Sequence, residues 1–175
     1  DIISAMRTFG RPIIGAVNGV AVTGGFELAL ACDILIASTE ARFADTHARV
    51  GILPGWGLSQ KLPRMIGIGR AKEISFTGNY MSAEQAEAWG LVNRVVAPDV
   101  LLATCKVLAR DMLSCVPEAL RGIKQMIDNG YDGTLADGLR MEARRSVEHA
   151  TSVTPEMIAE RRETVQKRGR SQTAG

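Results

Sequence analysis

The chain has 175 residues, 46% of them hydrophobic and 23% charged, which supplies the core of one domain, or of one domain with a helical appendage. A net charge of +2 is too small to favour nucleic acid or a membrane surface, so neither is expected as a partner. The three cysteines (Cys32, Cys105 and Cys115) have no metal-ligand spacing and only His47 and His149 to join them, so no metal is expected; they suit buried small side chains in a reducing compartment, the cytoplasm.

In chain order, Pro12 to Val17 is a strand candidate, and Asn18-Gly19 is a turn signal because both residues tolerate positive φ. Val20-Ala21-Val22 continues as a second short strand. Thr23-Gly24-Gly25 leads into a helix-forming run from Phe26 to Ala31, and Asp33 to Ser38 is a strand apolar on both faces, hence buried. The stretch from Ile13 to Ala37 is long and apolar, but Asn18, Glu27 and Asp33 interrupt it. Charges at mid-bilayer are costly, so buried strands and a helix are expected there rather than a membrane span. Residues 46–50 form one helical turn with Thr46 as its cap, 51–57 form a loop, and Leu58 to Met65 is helical with Pro63 inside it.

The second half reads almost entirely as helices. Ser82 and Gln85 have capping-box spacing, and the helix they open ends near Gly90. Leu91 to Val96 is a strand. Asp99 caps a long helix to about Ser114, Pro117 opens another that stops at Asn129-Gly130, Thr134 to about His149 is a fourth, and Thr154-Pro155 opens a fifth to about Lys167. Residues 1–80 and 81–175 thus differ in texture, with most glycines and short apolar runs in the first part and helices in the second.

The segment Gly24-Gly25-Phe26-Glu27-Leu28-Ala29 carries the most chemistry. Glycines at a helix start allow close backbone approach, and the first helical amides have no intrahelical partner. These amides and the helix dipole favour negative charge, which is how an oxyanion hole is built. Glu27 lies in the same first turn, where it either takes part in chemistry or only complements the dipole.

Pro12-Ile13-Ile14-Gly15-Ala16-Val17-Asn18-Gly19, Gly24-Gly25-Phe26-Glu27-Leu28-Ala29 and Cys32-Asp33-Ile34 resemble the signature of the enoyl-CoA hydratase/isomerase (crotonase) family. The likeness continues through Ala41-Arg42-Phe43, Gly51-Ile52-Leu53-Pro54-Gly55 and Gly90 to Val96, in order along the chain. It implies an α/β fold, with the C-terminal part of the crotonase-like ββα spiral over residues 1–80 and a helical oligomerisation region over 81–175. It also implies an acyl-CoA thioester substrate and a homotrimer or hexamer. With no nucleotide phosphate loop or metal motif, no cofactor is expected beyond the substrate's own CoA.

By the same resemblance, Gly24 matches the glycine whose N–H forms half of the oxyanion hole, and Glu27 the first of two glutamates that hold and activate water. The second glutamate would stand twenty residues on, where this chain has His47. A glutamate–histidine pair can still accept and donate the two protons that hydration needs, provided His47 is protonated when it donates. Otherwise His47 is a polar wall residue and Glu27 acts alone. Gly25, Gly55, Trp56 and Arg161 are the candidate substrate contacts. Trp56 stands where the family usually has a small residue, and would either narrow the acyl pocket or pack in the core. Arg161 matches a basic residue that reaches a neighbouring subunit's CoA phosphate, or else lies on a solvated helix face.

The family's N-terminal portion, with the other oxyanion N–H and most of the adenine pocket, is not within this sequence. The expected activity is addition of water to a 2-enoyl-CoA, giving a 3-hydroxyacyl-CoA. The alternatives are double-bond isomerisation or other enolate chemistry on acyl-CoA, and a non-catalytic subunit of the same fold. Absence of aromatic–basic interleaving weighs against RNA.

Overall fold

A computed structural model describes residues 1–173. The elements run α1 (Ile2–Thr8), β1 (Ile14–Val17), β2 (Val20–Val22), α2 (Gly24–Leu30), β3 (Ile34–Ser38), β4 (Arg42–Ala44), α3 (His47–Val50), α4 (Leu58–Ile66), α5 (Ile68–Thr77), β5 (Met81–Ser82), α6 (Ala83–Ala88) and β6 (Arg94–Val96). A 3₁₀ turn, Pro98–Val100, leads into α7 (Leu101–Leu113), followed by α8 (Pro117–Tyr131), α9 (Leu135–Ala150) and α10 (Pro155–Thr173). Two compact units result, Asp1–Lys124 and the chain from Gln125 on, with the division inside α8.

In the first unit the strands form two three-stranded sheets, ordered β1-β3-β6 and β2-β4-β5. Although β1 and β2 are consecutive, they belong to different sheets. Asn18-Gly19 therefore hands the chain from one sheet to the other rather than closing a hairpin. Neither residue adopts a positive φ; among the described residues, the one non-glycine that does is Thr23. After α2 the pattern repeats, β3 lying parallel to β1 (Ile14 opposite Ile34) and β4 parallel to β2 (Val20 opposite Arg42). This is a ββα spiral.

Strand β3 is apolar on both faces, as expected. Leu35 and Ala37 join the main core with Phe26, Phe43, Leu62 and Met81, where the two phenyl rings meet at 5.6 Å between centroids. Ile36 faces the other way, into a second cluster with Leu101 and Cys105 of α7. The first unit extends well past residue 80 because β6 pairs with β3 and α7 packs on β1 and β3.

Several helix ends differ from expectation for local reasons. Ser82 caps α6, accepting from the Gln85 N–H at 3.2 Å. Asp99 does not cap α7, because Pro98 opens a 3₁₀ turn that encloses it and Val100 takes the cap position. The expected strand from Leu91 shrinks to Arg94–Val96, with Leu91 and Val92 buried in the preceding loop. Helix α5 follows Gly67 with no side-chain cap to announce it in the sequence.

In the second unit, α8 runs through Asn129-Gly130 to Tyr131. Gly130 serves close packing instead: a Cβ on Gly138 of α9 would stand 3.4 Å from its Cα. Thr134 caps α9 by accepting from the Asp137 N–H, and α10 continues past Lys167 to Thr173. Among the described residues, no helix is long and apolar enough to cross a membrane.

Candidate active site

Thr23, the N-cap of α2, takes φ 49° and ψ −119°, a strained geometry for a β-branched residue. Its carbonyl accepts the Glu27 N–H at 3.0 Å, its own N–H donates to the Ala44 carbonyl at 3.3 Å, and its Oγ1 is 2.8 Å from Thr46 Oγ1. These bonds fasten the end of β4 and the start of α3 to the entry of α2. Thr46 is the N-cap of α3 by position, yet its hydroxyl is spent on Thr23 and makes no cap bond. Asp45 takes over that role, its Oδ1 accepting from the His47 N–H at 3.2 Å.

This arrangement brings Glu27 and His47 together. Glu27 is 3% exposed and His47 4%. Glu27 Oε2 lies 3.4 Å from His47 Nε2. Glu27 Oε1 accepts two backbone N–H groups, from Trp56 at 2.6 Å and from Leu58 at 3.3 Å. The residue between those donors, Gly57, has φ +108°, which aims both neighbouring amides at one oxygen. Glu27 therefore does more than complement the dipole of α2. It is enclosed by donors from three segments, as a carboxylate held away from water must be.

The other ring nitrogen of His47, Nδ1, stands 2.6 Å from Asp45 Oδ1, and Asp45 is itself 3% exposed. The buried cluster is thus a carboxylate, an imidazole and a second carboxylate in a row. Sequence reasoning singled out Glu27 and His47 but gave Asp45, Gly57 and the Leu58 amide no role. The Asp-x-His spacing before a helical turn was the available signal for Asp45, since an aspartate commonly accepts from the N–H two residues on.

Gly24 opens α2, and the Trp56 ring lies 3.5 Å from where a Cβ on Gly24 would be. At 42% exposure Trp56 is not a core residue; it stands over the N-terminal turn of α2. A Cβ on Gly25 or Gly55 would meet nothing within 4 Å, so both have open space beside them. Arg161 belongs to the second unit, where Ile158, Arg161, Arg162, Val165 and Gln166 of α10 line a surface groove of about 550 Å³. Chemically, a carboxylate 3.4 Å from an imidazole can hold and pass a proton, and free amides at the start of α2 can meet a negative oxygen.

The sequence model of the enoyl-CoA hydratase/isomerase family matches residues 1–167. A probable peroxisomal enoyl-CoA hydratase of Arabidopsis thaliana is 41% identical over 169 residues, covering 97% of this chain and 64% of the relative. A short-chain-enoyl-CoA hydratase of Clostridium acetobutylicum is 42% identical over 142 residues, covering 81% and 54%. The crystal structure of an enoyl-CoA hydratase from Bacillus anthracis superposes with a TM-score of 0.86 at 36% identity, over 94% of this chain and 65% of that one. The chain thus spans less than two thirds of the length of each of these relatives. Matched over nearly its whole length and carrying the crotonase fold, the chain belongs to the enoyl-CoA hydratase/isomerase family.

Proposed function

We propose that this chain carries the acid–base part of an enoyl-CoA hydratase, which adds water across the double bond of a 2-enoyl-CoA. The observation that carries the reading is the buried contact of 3.4 Å between Glu27 Oε2 and His47 Nε2 beside the N-terminus of α2. Glu27 takes a proton from water as its oxygen bonds to the β-carbon, and protonated His47 delivers one to the α-carbon. Glu27 is then protonated and His47 neutral. Transfer of one proton across their contact restores the starting state, so the cycle balances. Gly24 N–H stabilises the enolate oxygen in between, together with a second donor from outside these residues.

Gly25 and Gly55, with open space beside them, and the half-exposed Trp56 ring border the acyl group. Arg161 takes the CoA phosphate. The protein works as a trimer or hexamer in a reducing compartment. Three free cysteines suit the cytoplasm, while the Arabidopsis relative is named as peroxisomal.

The test is incubation of the complete protein with a panel of enoyl-CoAs, with products identified by mass and chirality. Gain of one water to form a 3-hydroxyacyl-CoA is the expected result. A product of unchanged mass with a moved double bond would replace hydration by isomerisation. No turnover of any panel member would favour a non-catalytic subunit.

A further inference from the structure

We infer that Asp45 is a positioning residue that keeps a proton on His47 Nδ1 and so commits Nε2 to Glu27. The inference rests on the proposed acid–base role of the Glu27–His47 pair and adds the group that sets its protonation pattern.

One oxygen, Asp45 Oδ1, accepts from the His47 backbone N–H at 3.2 Å and lies 2.6 Å from Nδ1 of the same residue's ring. Backbone and side chain are thus oriented by a single acceptor. The far end of this short turn is pinned as well, since the His47 carbonyl accepts the Ile52 N–H at 3.1 Å. A ring with its only proton on Nε2 would set the Nδ1 lone pair against a carboxylate oxygen at 2.6 Å, which is repulsive. With Asp45 ionised, Nδ1 is therefore the ring nitrogen that carries a proton.

That leaves Nε2 facing Glu27 Oε2 at 3.4 Å. Two bare lone pairs would repel at that distance, so the resting pair shares one proton, on Nε2 or on Oε2. This is the proton the acid step spends. Without Asp45 the ring is free to rotate and to hold its only proton on Nε2, as a neutral imidazole that is too weak an acid to give that proton up. The orienting role parallels that of the aspartate in the Ser-His-Asp triad, where the wrong imidazole tautomer costs most of the rate. Asp45 touches no reacting atom; its effect passes through His47.

The experiment is nitrogen-detected NMR of the His47 ring, with steady-state kinetics, on the complete wild-type protein and on Asp45→Asn. Melting curves check that the variant folds. Wild type should show Nδ1 protonated. Asp45→Asn should populate the ring protonated on Nε2 alone and lower kcat by about 10²-fold or more, with KM little changed. An Asp45→Asn protein that keeps wild-type kcat, or loses activity with the ring protonated as in wild type, overturns the inference. If the variant fails to fold, the wild-type ring decides: protonated Nδ1 supports the role of Asp45, and bare Nδ1 overturns it. Failure of the hydration reading is visible separately, as a wild-type protein that adds no water whatever the ring spectrum shows.

Discussion

Glu27 holds its place through three donors on two oxygens: the Trp56 and Leu58 amides on Oε1 and the His47 ring on Oε2. Glu27→Gln keeps the volume but replaces one acceptor with an NH₂ group, which must face either the backbone amides or His47. The expected result is a loss of about 10²–10⁴ in kcat, measured on the best enoyl-CoA of the panel. A wild-type rate in this variant would remove Glu27 from the chemistry. The cysteines give a separate test at the same scale. Burial raises the Cys32 thiol pKa, and Asp33 adds to this while Lys61 opposes it; burial alone raises that of Cys105. Thiolate is the reacting form, so a raised pKa means less of it at neutral pH. Exposed Cys115 should therefore be alkylated first, and the rates at Cys32 and Cys105 should keep climbing as pH rises into the alkaline range. Peptide mapping by mass spectrometry checks the order, and labelling of Cys105 before Cys115 would contradict it.

Among the elements, the Gly51 to Gly57 loop and the caps make the sharpest claims. Gly57 at φ +108° is in a region L side chains avoid, so Gly57→Ala should destabilise by about 1–2 kcal/mol or more. It should lower activity too, because the same backbone aims the Trp56 and Leu58 amides at Glu27. Urea denaturation with parallel kinetics would show both effects, and a neutral substitution would mean the loop has another accessible conformation. Ser82 and Asp99 look like equal caps in the sequence, yet only Ser82 makes its bond. Ser82→Ala should cost about 1 kcal/mol. Asp99→Ala should stay within about 0.5 kcal/mol, as an exposed substitution away from a cap does. Equal losses in thermal melts would show that the 3₁₀ turn does not exclude Asp99 from capping.

For the whole molecule, the C-terminal helices leave large apolar side chains exposed, among them Ile127, Tyr131, Leu135, Leu139 and Val147. Contiguous apolar surface on a helical region is the usual mark of association. The complete protein is expected to be a trimer or hexamer at micromolar concentration by light scattering, and a monomer under those conditions would count against this role for the helices.

What the sequence determined on its own is local. Hydrophobic period placed the buried strand β3, turn and cap residues placed α6 and α9, and the motif around Gly24 and Glu27 pointed to the family. Each of these depends on residues within a few positions of one another, where propensity and capping act. Tertiary structure decided what depends on register and closure. It sent β1 and β2 to different sheets, let α8 run through Gly130, and left Trp56 half exposed over Gly24. It also brought the Trp56 and Leu58 amides to Glu27 across 29 and 31 residues of chain, where no sequence period reports. Asp45 shows the boundary most clearly. Its bond to the His47 backbone is readable from spacing, but its grip on the ring follows from burial, which removes water as the alternative partner and sets the imidazole between two carboxylates.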